Sequence, residues 1–246
     1  LDLLPYTFTI NQLYKKAMRY PVIRWKQSQA FTLERFREMD GEAVGRYALP
    51  IELMMENAGL LLARLVAASA IKKQKIRIGV GKGNNGGGGL VAARRLAAWG
   101  FEVELDCFTE ISAALPRLQL ERALRFGVRK KSTASCDVWV DAWLGFSQRL
   151  PLPRSLEERI AEANKSDCLR IALDLPTAYN GDERLPHFRA SKILCPAAPK
   201  RILWDYDKKA EIYIADIGIP VALYRSYGAE MLPFEKNAIL KWERPT

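Results

Sequence analysis

Hydrophobic and polar positions follow two periods along this chain, and the places where the period changes mark its elements. Phe31, Leu33, Phe36, Met39 and Val44 recur at helical spacing, and residues 51–70 repeat that spacing after Pro50. Short β-branched runs then take turns with helical stretches. The pattern predicts strands over 75–80, 102–107, 137–141, 170–174, 192–194 and 211–216, with helices over 90–99, 113–126 and 156–164 between them. Such alternation implies a single three-layer α/β domain with a mostly parallel sheet and helices on both faces.

In sheets of this kind ligands sit outside the carboxyl ends of the strands, so the residues after each strand carry the chemistry. Gly81-Lys82-Gly83-Asn84-Asn85-Gly86-Gly87-Gly88-Gly89 follows the first of these strands, Asp141-Ala142-Trp143-Leu144-Gly145-Phe146-Ser147 the third, and Asp174-Leu175-Pro176-Thr177-Ala178 the fourth. Seven of the sixteen glycines fall between Gly79 and Gly89. A loop of that composition lets backbone approach a phosphate, and the free N–H groups of the following helix favour an anion. Gly81, Gly83 and Gly86 match the dinucleotide fingerprint, with Asp106 at a strand end as its acidic partner, which makes an NAD-dependent dehydrogenase one reading. That reading leaves Asn84 and Asn85 without a task. Side-chain amides together with Asp141, Asp174 and Thr177 offer an oxygen-only set, suited to an alkali or alkaline-earth ion or to a polar ring.

Composition narrows the chemistry further. The chain has 246 residues, 49% of them hydrophobic, which supports a sizeable core, and no uncharged apolar run is long enough to suggest a membrane span. Its four cysteines include no C-x-x-C pair, and its one histidine, His187, lies in a Pro- and Arg-containing loop without a nucleophile motif. Zinc of ordinary spacing and Ser-His or Cys-His catalysis are therefore not expected. Lys and Arg outnumber Asp and Glu by 38 to 28, a net charge of +10 that favours an anionic partner. Residues 1–30 hold Lys15, Lys16, Arg19, Arg24 and Lys26 against Asp2, with Tyr6, Phe8, Tyr14, Tyr20 and Trp25 among them. We read 1–30 as a basic, aromatic extension and 31–246 as the α/β domain.

Six ordered motifs resemble the NAD(P)H-hydrate epimerase family, also called the YjeF N-terminal domain family. They are Met55-Glu56-Asn57-Ala58-Gly59; Gly83-Asn84-Asn85-Gly86-Gly87 leading into Gly89-Leu90-Val91-Ala92-Ala93-Arg94; Val140-Asp141-Ala142 with Gly145; Ala172-Leu173-Asp174-Leu175-Pro176; Ala198-Pro199-Lys200; and Ala215-Asp216-Ile217-Gly218-Ile219-Pro220. The resemblance implies a Rossmann-like fold, often a homodimer, that interconverts the epimers of hydrated NADH and NADPH for cofactor repair. It implies a potassium ion held by Asn85, Asp141 and Thr177. It makes Asp174 the acid/base residue, with Asn84, Asn85, Gly86, Gly87, Gly145, Phe146, Ser147 and Asp174 around the substrate; Lys82, which nothing in the family pattern requires, would assist with phosphate charge.

The chain departs from that pattern twice. Gly88 stands where the family's glycine loop carries an aspartate, and Thr177-Ala178 replaces a Ser-Gly turn. These departures, the charge and the extension support a second reading, a catalytically impaired scaffold subunit of an RNA-containing assembly such as a mitochondrial ribosome or its assembly intermediate. Lys72, Lys73 and Lys75, with Arg129, Lys130 and Lys131, would then meet phosphates. A mitochondrial location, with the cytoplasm as the alternative, is the corresponding expectation.

Overall fold

The computed structural model describes residues 20–70, 74–131 and 135–245. Nine described strands form one sheet: β1 (Val22–Ile23), β2 (Lys75–Val80), β3 (Glu102–Cys107), β4 (Arg129–Lys130), β5 (Val138–Ala142), β6 (Leu169–Leu173), β7 (Lys192–Pro196), β8 (Glu211–Ala215) and β9 (Ile239–Trp242). They lie in the order β1-β9-β8-β7-β6-β5-β2-β3-β4, and every neighbouring pair is parallel except β8 with β9. The described α-helices are α1 (Leu33–Gly45), α2 (Ile51–Ser69), α3 (Asn84–Ala98), α4 (Ala114–Arg125), α5 (Arg154–Lys165) and α6 (Val221–Ser226).

The chain runs outward from β2 through β3 to β4, then returns to the other side of β2 and proceeds from β5 to β8. Right-handed crossovers in opposite directions put their helices on opposite faces. Accordingly, Leu61, Leu62 and Leu65 of α2, Leu90 and Leu96 of α3 and Ala123 of α4 pack on Ile76, Ile78, Val80, Val140 and Ile171. On the other face Phe36 and Met39 of α1, Leu156 and Ile160 of α5 and Leu223 of α6 meet Trp139, Trp143 and Ala172. The period-two alternation of β5 divides Val138, Val140 and Ala142 from Trp139. The strand order reverses between β2 and β5, where the loops after both strands open a crevice.

The structure corrects the start of the helix after β2. The sequence places it at 90, whereas α3 begins at Asn84 and takes in the glycine run. Each glycine in a helix interior costs about 1 kcal/mol relative to alanine, and here close packing requires the absent side chains. A Cβ on Gly86 would fall 2.0 Å from the carbonyl oxygen of Gly81, one on Gly87 would fall 2.5 Å from Met55, and one on Gly89 would fall 2.6 Å from the Cβ of Ala142.

Residues 1–19 lie outside the described residues. The described remainder of the 1–30 segment packs on the sheet: β1 pairs with β9, Tyr20 meets Tyr213 edge-on at 5.1 Å, and the indole N–H of Trp242 donates to the carbonyl of Trp25 at 3.0 Å. Phe31 then pairs with Lys200 in an isolated parallel bridge. Thr32 caps α1 by accepting from the Arg35 N–H at 3.3 Å. The far side of α1 is latched to the segment after α6: the Tyr227 hydroxyl donates to Glu42 at 2.8 Å, and the Arg35 guanidinium donates to the Tyr227 carbonyl.

Space rather than backbone angle fixes Gly79. Trp143 covers it, and a Cβ there would come within 2.3 Å of the indole, whose N–H is held by the Asp106 carbonyl at 3.0 Å. Gly41 of α1, by contrast, has nothing within 4 Å of its Cβ position. Gly79→Ala is expected to destabilise the fold by about 1–3 kcal/mol through overpacking. Gly41→Ala should stabilise it by about 0.5–1 kcal/mol through helix propensity. Urea midpoints measure both, and equal shifts of the same sign would contradict this account.

Candidate active site

The crevice between the ends of β2 and β5 holds a cavity of about 410 Å³. Phe36 and Asp40 of α1, Met54, Met55 and Ala58 of α2, Phe108, Trp143 and Ile217 wall it, with Lys82 and Asn84 at the start of α3. Of the residues selected from the sequence, Asn84, Asn85, Gly145, Phe146, Ser147 and Asp174 line this cavity together. Gly86 and Gly87 are buried inside the first turn of α3, where they give clearance rather than surface. Asp141 and Thr177 sit beneath the floor, wholly buried.

Asp174 follows β6 with φ +71°, in the left-handed region that costs a non-glycine residue roughly 1 kcal/mol or more. Its amide donates to the Leu194 carbonyl at 2.8 Å, which ties the turn to β7. One carboxylate oxygen accepts from the Phe146 N–H at 2.5 Å, and the other lies 2.7 Å from the Lys200 ammonium. Lys200 is wholly buried, its ammonium 3.7 Å from the centroid of the Phe36 ring. Backbone bonds from Phe31 to Pro199 and from Arg201 to Phe31, at 2.9 and 2.8 Å, hold that lysine against the start of α1. Gly145 leaves room for the carboxylate, since a Cβ there would fall 2.7 Å from Asp174 Oδ2 and 3.2 Å from the Asn85 side chain.

Asp40 is a second carboxyl in the cavity. Burial raises its pKa, the charge of Lys200 lowers it again in part, and Asp174 adds a further upward push. Lys200 and Asp40 were not selected from the sequence, although a signal existed for each. Lys200 belongs to one of the quoted motifs, and Asp40 stands four residues after Phe36, a carboxylate on the apolar stripe of α1.

Beneath the floor, Asp141 accepts from the Thr177 N–H and hydroxyl, each at 2.6 Å, and from the Trp143 N–H at 3.2 Å. Burial pushes its carboxyl up to about 7 despite those three donors. The Asn85 amide donates to the carbonyls of Leu144 at 2.9 Å and Leu173 at 3.3 Å, and the Leu144 N–H reaches Thr177 Oγ1 at 3.3 Å. Asn85, Asp141 and Thr177 thus belong to one hydrogen-bonded set around Leu144. Ala178 adopts φ +72°, the turn conformation that glycine takes at less cost, and its amide donates to the Gln148 side chain at 2.7 Å.

Two residues are spent elsewhere. Asp106 pairs with Arg159 at 2.8 Å and lies 3.8 Å from Lys131, on the α5 face of the sheet, so the acid that a dehydrogenase would place on a ribose does not line the cavity. His187 packs edge-on against Tyr179 and Tyr206 with Nδ1 2.7 Å from the Leu185 carbonyl, outside the cavity.

The profile of the family described as YjeF-related protein N-terminus matches residues 51–202. An NAD(P)H-hydrate epimerase of Rhodopirellula baltica is 32% identical over 231 residues, which cover 85% of this chain and 91% of that protein. An NAD(P)H-hydrate epimerase of Weissella koreensis is 28% identical over 78% of this chain and 92% of its own length. A bifunctional NAD(P)H-hydrate repair enzyme of Gloeobacter violaceus is 32% identical over 71% of this chain, which spans 36% of that longer protein. Among solved structures, the crystal structure of yeast ynu0 shares the fold with a TM-score of 0.79 at 22% identity, covering 86% of this chain and 99% of its own. With the family profile spanning more than half of its length and a relative of 32% identity matching nearly end to end, the chain belongs to the YjeF-related N-terminal domain family.

Proposed function

We propose that this protein is an NAD(P)H-hydrate epimerase, an isomerase that interconverts the two epimers of hydrated NADH or NADPH. The observation that carries the reading is Asp174, a carboxylate aimed into an apolar cavity and touched by the Lys200 ammonium and the Phe146 N–H. In a hydrated dihydropyridine the hydroxyl-bearing carbon adjoins the ring nitrogen. Protonation of the hydroxyl lets it leave as water while the nitrogen lone pair forms an iminium bond. Water returning to the opposite face and giving up a proton completes the epimerisation with no net change of atoms. Both halves need one carboxyl within hydrogen-bond reach of the hydroxyl. We assign that transfer to Asp174, and Asp40, whose pKa burial raises, shares the cavity with it. Phe36, Met54, Met55 and Phe108 suit a flat ring, while Lys82 and the uncapped start of α3 suit the anionic nucleotide arm.

We propose that a potassium ion binds beside this site. Asp141 is fully buried and, among the described residues, has hydrogen-bond donors but no lysine or arginine in contact. The Leu144 and Leu173 carbonyls converge on the Asn85 amide next to it. Asn85, Asp141 and Thr177 would hold the ion, whose charge would offset that of the aspartate and fix the loops on either side.

No observation favours the RNA-bound scaffold. Arg129 pairs with Glu102 at 2.5 Å and Lys131 with Glu162 at 2.9 Å, so two of the three basic residues there already meet acidic partners. Lys72 and Lys73 lie outside the described residues.

Supplied with mixed epimers of hydrated NADH and a stereospecific dehydratase, the protein should accelerate recovery of NADH. Asp174→Asn should lower that turnover by about 10²–10⁴-fold. Lys200→Met, which strands a buried carboxylate, should cost about 3–5 kcal/mol of stability in urea titrations as well as activity; no acceleration by the unaltered protein would sink the assignment. Replacing tetramethylammonium by potassium at constant ionic strength should raise the melting temperature, and Asn85→Ala should remove that gain. Finally, a Cβ at Gly88 would sit 3.0 Å from a methyl of Leu173, a side chain able to shift. Gly88→Asp should therefore fold and raise kcat/KM about tenfold or more, one charged hydrogen bond being worth roughly 1.5–3 kcal/mol.

A further inference from the structure

Nothing in the reaction above uses a thiol, yet two cysteines meet at the end of the sheet away from the cavity. Cys168 immediately precedes β6 and Cys136 stands two residues before the start of β5, whereas Asp141 and Asp174 lie at the carboxyl ends of those strands. The two strands are parallel neighbours with Val138 opposite Leu169, and the Leu169 N–H donates to the Asp137 carbonyl at 2.9 Å. This register sets Cys168 across from Asp137 and one step from Cys136. With about 4.8 Å between strands and about 3.3 Å per residue along them, their α-carbons stand about 6 Å apart, within the roughly 4.4–6.8 Å that a disulfide spans.

Both side chains belong to the same apolar cluster. Cys136 packs against the cluster that buries Cys168, and Ser166 Oγ lies 2.8 Å from Cys168 Sγ. Arg170 brings a guanidinium to the same turn, donating to the Ser166 carbonyl at 2.8 Å and the Cys168 carbonyl at 3.4 Å. The Ser166 hydroxyl and the Arg170 guanidinium both stand at the Cys168 turn, which makes that sulfur the better placed to carry a thiolate. The Cys136 hydrogen bond, then the Ser166 hydroxyl and the Arg170 charge, hold Cys168 below the ordinary thiol range against the opposing effect of burial. Cys136, on the other side of the same hydrogen bond and partly buried, is pushed up. Cys195, wholly buried, and Cys107 are raised by burial and have no such thiol neighbour among the described residues.

We propose that Cys136 and Cys168 form a hydroperoxide-reactive dithiol, with Cys168 as the attacking sulfur and Cys136 as the resolving one. The Cys168 thiolate attacks one peroxide oxygen, the O–O bond breaks, and the second oxygen leaves with a proton as water or alcohol. The resulting sulfenic acid is displaced by the Cys136 thiol, which forms the S–S bond and releases a second molecule of water. Two thiols lose two hydrogens, and the peroxide is the oxidant that takes them. The bond would staple β5 to β6 at their amino ends, and a dithiol reductant would reopen it.

The full chain treated with hydrogen peroxide near neutral pH, alkylated and digested with trypsin without reduction should yield residues 132–149 joined to 166–170, which dithiothreitol separates. Cys168→Ser should slow peroxide-driven thiol loss at least tenfold. Cys136→Ser should leave the initial rate within about threefold but stop at a sulfenic acid that dimedone captures on Cys168. Circular dichroism checks that both variants fold. Separate peptides after the thiols are consumed, first reaction at Cys107, or unchanged reactivity of Cys168→Ser would each overturn the assignment.

Discussion

The ion pair between Asp174 and Lys200 governs the architecture of the cavity. Two full charges this deeply buried cost several kcal/mol each in lost hydration, and close contact with further polar partners must offset that loss. The protein supplies the contact from four directions. A strained turn aims Asp174, the Phe146 amide fills its second oxygen, the ring of Phe36 faces the ammonium, and the Phe31 bridge keeps Lys200 from withdrawing. The absence of a side chain at Gly145 is a condition of the same arrangement, because any Cβ there would occupy the space of the carboxylate. Removing one contributor leaves the others holding an uncompensated charge, so the geometry is shared rather than assigned to a single residue.

Much of this was legible in the order of residues along the chain. Runs 75–80 and 102–107 alternate apolar residues, Ile76, Ile78 and Val80 in one and Val103 and Leu105 in the other, with charged or small ones, and the strands begin and end where that alternation does. Loops at the carboxyl ends could be singled out because that position has a general meaning in parallel sheets. The glycine run was misread for a physical reason: local propensity argues for a loop, while close contacts with Met55, Gly81 and Ala142 argue for a helix, and those contacts are tertiary. Strands β1, β4 and β9 are two to four residues long, too short to show a period. Asp40 and Lys200 meet only after folding, and neither has a neighbour in sequence that announces the other.

The two departures in the loops prove to be different in kind. Thr177 keeps the hydroxyl in use, donating to Asp141 at 2.6 Å, and its added methyl is accommodated in a fully buried position. Ala178 retains the backbone conformation of a glycine turn and bears a conformational cost of order 1 kcal/mol for doing so. Both therefore preserve shape at some expense. Gly88 instead removes a functional group and leaves the helix undisturbed, so its effect falls on the contents of the cavity rather than on the fold.

The latch between α1 and the segment after α6 has a bearing on how the site comes into being. Glu42 and Tyr227 are 185 positions apart, and the wall that carries Phe36 and Asp40 is synthesised before any of the loops it will face. During translation α1 must wait for α6, while the glycine-rich start of α3 and the Asp141 and Asp174 loops can already assemble on a half-made sheet. Closing contacts of such long separation tend to form late. Ligand-binding competence should thus arrive abruptly once α6 and Tyr227 have been made, and a chain that has not reached them would hold an open, unwalled crevice.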